Sequence, residues 1–191
     1  MSKPNARTIV ALVGAALLVF VAAVATVVGF AVRGADKPEP AITAYAHGKA
    51  ITIEPFMYCN VQMQDCQVLP KDDEAQLPIE LSCPEGKDCR IGQSSELDVP
   101  AGYPLQLSLP KSIVNSPWVA VAYYGMPDGN VMPQRLSHRD FDEGTAAITI
   151  PSAAELPLLG VEMQLPILAR DMTTGEEGYL PHAAWSVRTA D

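Results

Sequence analysis

Between Ile9 and Val32 the chain runs for 24 residues without a charge. At 1.5 Å of rise per residue, a helix of that length reaches ~36 Å, against a bilayer core of ~30 Å. A helix lying on a water-soluble core keeps one polar face, and this segment has none; Thr26 is its one hydroxyl. The run predicts a transmembrane helix over 9–32, with residues 1–8 as a short tail and 33–41 as a tether. Ala25 and Gly29 give one small-xxx-small spacing, a weak pairing signal in so alanine-rich a segment.

Lys3 and Arg7 precede the run and Arg33 and Lys37 follow it, so the basic flanks balance. The short tail, which adds an α-amino charge, crosses a membrane poorly. The expectation is a cytoplasmic N-terminus, an uncleaved signal anchor and a remainder outside the cell membrane. The rival is a cleaved signal peptide, whose apolar region is shorter and ends at a small-x-small site. Ala23-Val24-Ala25 fits such a site, but seven more uncharged residues follow it, and Arg33 stands where a small residue belongs. No cysteine lies near enough for a lipid anchor.

The composition changes past the tether. Beyond residue 37 there are 9 basic residues against 21 acidic ones, a net charge of −12. Nucleic acid and anionic lipid surfaces need a basic footprint, so neither is expected as the main partner. Cys59, Cys66, Cys83 and Cys89 all lie in this part. An even number in an oxidising compartment reads as two disulfides, with three connectivities open. We favour Cys59–Cys66 and Cys83–Cys89, because Pro84-Glu85-Gly86-Lys87-Asp88 makes a local turn. Zinc sites use tighter spacings than C-x6-C and C-x5-C. Met57 and Met63 beside Cys59 and Cys66 raise a Cu(I) set, weighed against methionines filling gaps around a disulfide. No metal or cofactor is expected.

Pro38 and Pro40 stiffen the tether. Beyond it, apolar residues recur with period two: Ile51 and Ile53; Ile79 and Leu81; Tyr103, Leu105, Leu107 and Leu109; Ala146, Ile148 and Ile150; Val161, Met163, Leu165 and Ile167. Pro166 marks an edge in the last of these. Trp118 to Tyr124 reads as a central strand, and the last strand runs from Tyr179 to Val187. His47-Gly48, Met126 to Asn130 and Thr173 to Gly178 read as hairpin turns. Ser152-Ala153-Ala154-Glu155 reads as a helical capping box stopped by Pro157. About eight short strands predict an all-β, extracytoplasmic β-sandwich over 42–191, with the immunoglobulin arrangement as one candidate.

The outer part resembles an uncharacterised actinobacterial family of single-pass exported, membrane-anchored proteins, grouped only as a domain of unknown function. Tyr58-Cys59-Asn60 with Cys66, Leu107-Ser108-Leu109-Pro110, Pro117-Trp118, Leu159 through Pro166, and Trp185-Ser186-Val187 carry the likeness. It implies location, architecture and a thick, lipid-rich envelope as the setting. None of these residues is a catalytic signature. Cys83 and Cys89 look like an addition to the pattern.

His47, His138 and His182 have no hydrolase motif around them, and no serine sits in G-x-S-x-G. Asp140-Phe141-Asp142-Glu143-Gly144 resembles half a calcium loop but lacks its later ligands. Lys71-Asp72-Asp73-Glu74 reads as a solvated loop. Trp118 and Trp185 default to the core, while either could line a groove; Tyr123-Tyr124 puts one ring on each face of its strand. These four aromatics are the candidate binding surface. The expected function is a non-enzymatic binding or accessory module of the cell envelope that contacts an envelope assembly or transport protein. The alternative is a carrier or sensor of a lipid-like or small apolar ligand held between the sheets.

Overall fold

Period-two burial shapes nearly everything past the apolar helix. The computed structural model describes residues 6–34, 38–71, 81–86, 88–170 and 174–189. Ile79, most of the acidic loop after Lys71, the tether residues 35–37, Lys87 and Thr173 lie outside the described residues. The chain divides into two units, Met1–Pro38 and Glu39–Asp191.

The first unit is helix α1 (Ala6–Gly34). Its stretch Leu12–Phe30 has a mean hydropathy of 2.6 and buries nothing within the protein. Thr26 donates its hydroxyl proton to the Ala22 carbonyl at 2.7 Å, which removes the one polar side-chain group from an apolar surface.

In the second unit the strands are β1 (Ile42–Ala46), β2 (Lys49–Ile53), β3 (Met57–Cys59), β4 (Cys66–Leu69), β5 (Arg90–Ile91), β6 (Ser95–Glu96), β7 (Leu105–Ser108), β8 (Val119–Gly125), β9 (Val131–Ser137), β10 (Ala147–Ile150), β11 (Leu158–Arg170) and β12 (Glu177–Arg188). A one-turn helix, α2 (Lys111–Val114), joins β7 to β8. One sheet has the order β10-β7-β1-β2 and the other β5-β4-β3-β12-β11-β8-β9, with β6 parallel to β12. The chain crosses between sheets from β2 to β3, from β6 to β7, from β7 to β8, from β9 to β10 and from β10 to β11. The orders β1-β7-β10 and β9-β8-β11-β12 are those of strands A-B-E and C′-C-F-G in an immunoglobulin-type Greek key. The expected β-sandwich is therefore what the chain forms, with β2 to β5 added to its borders.

Alternation does the packing. Ile42, Ala44 and Ala46 of β1 face in, as do Leu105 and Leu107 of β7, Ala120, Ala122 and Tyr124 of β8, and Ile148 and Ile150 of β10. They meet Val161, Met163, Leu165, Trp185 and Val187 in one continuous core. Fully burying side chains of this size stabilises a fold by about 1.5–3 kcal/mol each. A smaller second cluster, with Phe56, Met57, Met63 and Ala184 around the Cys59–Cys66 disulfide, lies under the added strands.

The turns follow their chemistry. His47 (φ 44°) and Gly48 (φ 79°) close the β1–β2 hairpin, where two left-handed residues match the strand twist. The β8–β9 turn is tied by Asp128, whose carboxylate accepts from the Asn130 backbone at 3.0 Å and side chain at 2.7 Å.

Three expectations are corrected. Ser152 to Glu155 does not cap a helix; Ala153 and Leu156 form an isolated β-bridge, and the Ser152 hydroxyl accepts from Leu158 N–H at 3.1 Å. Pro157 bars a helix from running on, and the Ser152 hydroxyl is taken by the first strand residue beyond it. The capping box forms instead at Ser137 and Asp140 on a one-turn 3-10 helix, His138–Asp140. Tyr103 does not share the face of Leu105; the chain is still turning at Ala101-Gly102, and the ring is 46% exposed. Ile167 leaves the phase of Val161, Met163 and Leu165, because the β11–β12 register shifts at Leu165/Pro166; it packs on the disulfide cluster instead.

Candidate functional site

Four aromatics were the candidate surface, and three of them are interior. Trp118 (2% exposed), Trp185 (1%) and Tyr124 (3%) belong to the main core. Trp185 donates its indole N–H to the Pro40 carbonyl at 2.8 Å, so it fastens the start of the domain. The Tyr124 hydroxyl donates to the Pro151 carbonyl at 3.0 Å, and burial raises its pKa above the ordinary tyrosine value. Tyr123 alone reaches solvent, beside an open groove of about 340 Å3 that it shares with Phe56, Glu162, Ser186 and Arg188. Burial first, and then Glu162, raise its pKa.

The cysteines pair as Cys59–Cys66 and Cys83–Cys89. The first bridges a cross-strand pair of β3 and β4. Met57 and Met63 line its cluster as filling, since both sulfurs of Cys59 and Cys66 are taken. The histidines stand apart from one another. His47 meets the Tyr103 ring edge-on at 4.3 Å, His138 Nδ1 faces the Trp118 carbonyl at 3.3 Å, and His182 Nδ1 faces the Cys59 carbonyl at 3.0 Å. Among the described residues none of the three is hydrogen-bonded to a serine or cysteine side chain, and no trio of His, Cys, Asp and Glu has metal-holding geometry. In the half calcium loop, Asp140 accepts from the Ser137 N–H at 2.6 Å and hydroxyl at 3.0 Å, while the Asp142 carbonyl is held by Thr145.

What the structure brings together is another set. β11 pairs with β8 no further than Gln164, and β12 pairs with β3 no earlier than Ala183. From Pro166–Arg170 and Glu177–Pro181 the two strands therefore continue as a ribbon of two. Pro166 faces Pro181 across it, and Leu168 faces Tyr179. By alternation these four share one side, and Leu168 (62% exposed) and Tyr179 (72%) lie open to solvent. At the base of the ribbon Tyr179 and Pro166 meet Trp118, Arg135, His138 and Arg139 around an open cleft of about 350 Å3. Sequence reasoning passed over Arg135, Arg139, Leu168 and Tyr179 as site residues. The available signal was a proline in each arm of one hairpin, which is unfavourable where a strand has neighbours on both sides.

An apolar helix of membrane-crossing length, the one such helix among the described residues, followed by a disulfide-bonded sandwich of the immunoglobulin type, places the chain among proteins that carry a membrane anchor or signal sequence ahead of an extracytoplasmic β-domain. Residues 35–190 match the model of a family described as "Protein of unknown function (DUF2771)". The chain belongs to that family, an actinobacterial one, as Tyr58-Cys59-Asn60 and the other quoted segments imply. It is similar to uncharacterized proteins of Mycobacterium tuberculosis and Mycobacterium bovis, each 32% identical over 160 residues that cover 82% of this chain and 82% of the relative. No solved structure matches it.

Proposed function

We propose that the chain is a single-pass protein of the cell membrane, cytoplasmic at its N-terminus and uncleaved, whose sandwich is a non-enzymatic binding module contacting an envelope assembly or transport protein. The observation that carries this reading is the β11–β12 ribbon. It extends past its sheet, and it holds Leu168 and Tyr179 in water where a protein without a partner gains nothing by exposing them. Two disulfides support an oxidising compartment for the domain. The alternative, an apolar ligand between the sheets, has less support, because core side chains occupy that space.

The experiment places a photo-crosslinking amino acid at position 179, and as a control at Lys49, in the full chain in intact cells. Discrete protein adducts from 179 that vanish with Leu168→Asp are the expected result. Adducts equal from both positions overturn the ribbon as the contact. A reporter enzyme that works only outside the cytoplasm, fused after Thr189, tests the orientation; inactivity there overturns it.

A further inference from the structure

The domain carries a net charge of −12 beyond residue 37, and four of its eight described basic side chains are already engaged. Arg90 bridges Glu54 at 2.6 Å and Glu39 at 2.8 Å. Lys49 meets Asp98, Arg188 meets Glu96, and Arg170 donates to the Gly175 carbonyl. Lys71 and Lys111 are not, and nor are Arg135 and Arg139, the two that share a cleft. Neither makes an ion pair or a side-chain hydrogen bond among the described residues, and both line the cleft at the base of the ribbon. The carboxylate next to them in sequence, Asp140, is held by Ser137.

A third donor is Trp118. Its side chain is 2% exposed, and its indole N–H has no hydrogen-bond partner among the described residues. No buried side-chain nitrogen there is left without a partner. The small exposed part of Trp118 therefore includes this nitrogen. Trp118 lines this cleft and an adjoining one of about 170 Å3 beside Phe141. In the same cleft the Ser137 hydroxyl is spent on Asp140, and His138 Nδ1 is turned to the Trp118 carbonyl. The unspent groups of this cleft are thus two guanidiniums, both donors, plus His138 Nε2, which donates when the ring is charged, while the indole N–H opens at one of the two clefts that Trp118 lines. The rest of the wall, Pro117, Val119, Pro166 and Tyr179, is apolar apart from one phenol.

We propose that this cleft is a binding site for a small anionic amphiphile: an acid head, carboxylate or phosphate, on the arginine side, and an apolar body against Tyr179 and the prolines. Guanidinium forks match both heads in geometry and charge. About 350 Å3 lies within the range of small-ligand sites. The ribbon face, continuing from Pro166 and Tyr179 to Leu168, gives the apolar body a path outward. This goes beyond the envelope-partner reading, and either can fail without the other.

The test uses the full chain in phosphatidylcholine nanodiscs, with tryptophan emission as the readout and empty nanodiscs as the partitioning control. Decanoate and decyl phosphate are the probes; decanol and decyltrimethylammonium are the head-group controls. The comparison is wild type against Arg135→Glu/Arg139→Glu, two exposed positions whose thermal unfolding is checked alongside. The expected result is saturable binding of at least one acid, weakened by about tenfold or more in the double variant, with no such change for decanol. The stronger of the two acids identifies the head group. Acid binding that is equal in both proteins, or the cationic probe binding as well as the acids, overturns the proposal.

Discussion

Two disulfides of nearly equal loop length stand in unlike surroundings, which separates two accounts of what a disulfide does. Cys59–Cys66 and Cys83–Cys89 close loops of sequence separation 7 and 6. Loop-closure entropy in the unfolded chain assigns about 2.3 kcal/mol to each. Burial differs: Cys59 is 2% exposed and Cys66 0%, inside the Met57 and Phe56 cluster, whereas Cys83 and Cys89 are half-buried. Replacing Cys59 and Cys66 by Ala removes two packed sulfurs, each of roughly methylene size and worth about 0.8 kcal/mol in transfer alone. The expected loss is about 4 kcal/mol for Cys59→Ala/Cys66→Ala and about 2.3 kcal/mol for Cys83→Ala/Cys89→Ala. For a domain of this size that is a Tm decrease of about 8–16 °C against about 5–9 °C. Thermal unfolding followed by the emission of Trp185, whose neighbour Ala184 sits in the disulfide cluster, reads both. Equal decreases, or a larger one for the second pair, would refute the packing argument and leave loop entropy as the whole effect.

Gly92 admits no side chain: a Cβ there would lie 2.1 Å from the Phe56 carbonyl oxygen and 2.3 Å from its Cα. Gly92→Ala is expected to lower the urea midpoint by the equivalent of about 1–3 kcal/mol, and an unchanged midpoint contradicts the close approach. Trp185→Phe leaves the Pro40 carbonyl without its donor and is expected to cost about 1–3 kcal/mol in the same assay. Leu168→Asp with Tyr179→Ser touches only exposed side chains and is expected to change stability by no more than about 0.5 kcal/mol; a larger loss shows that the ribbon face packs on the domain. Tyr58, Tyr123 and Tyr124 hold their protons above the ordinary value, through burial first and then, for Tyr58 and Tyr123, through Glu39 and Glu162. Because the folded values are the raised ones, their contribution to stability is complete below about pH 10 and is lost as pH rises through them. An alkaline titration of phenolate absorbance should show these three lagging the unfolded chain; coincident curves count against it.

The sequence was most legible where one local signal acts alone. An uncharged run of 24 residues has few uses besides a membrane-length helix. Period-two spacing gave the inward faces of β7, β10 and the first half of β11, and the short cysteine loops gave the pairing. It was least legible where two signals compete. Ser152 to Glu155 carries a capping box, yet Pro157 stops any helix and the Ser152 hydroxyl serves Leu158, so the segment closes as a bridge. Ile167 continues an alternation that the register shift beside Pro166 interrupts. The candidate surface misled for a related reason. Trp118 and Trp185 are conspicuous as residue types, but their strand positions put them in the core. Leu168, Tyr179, Arg135 and Arg139 are ordinary in sequence and come together only through the β8–β9 and β11–β12 pairings.

The edges of the sandwich bear on how the ribbon could act. The outer side of β12 is shared between β3 at Met57 and Tyr58 and β6 at Ser95 and Glu96, so this strand is no template for addition. β9, at the far side of the same sheet, carries Pro133 and the charged Arg135, features that blunt an exposed edge. In the ribbon Pro166 faces Pro181, and that level of the hairpin has no backbone N–H on either strand. Strand addition needs a run of such donors. Recognition through an added strand is therefore disfavoured at these three places. What the ribbon offers is side-chain surface, Leu168 and Tyr179 above the arginine-lined cleft, which is why the proposed contacts are argued from its face and not from its edge.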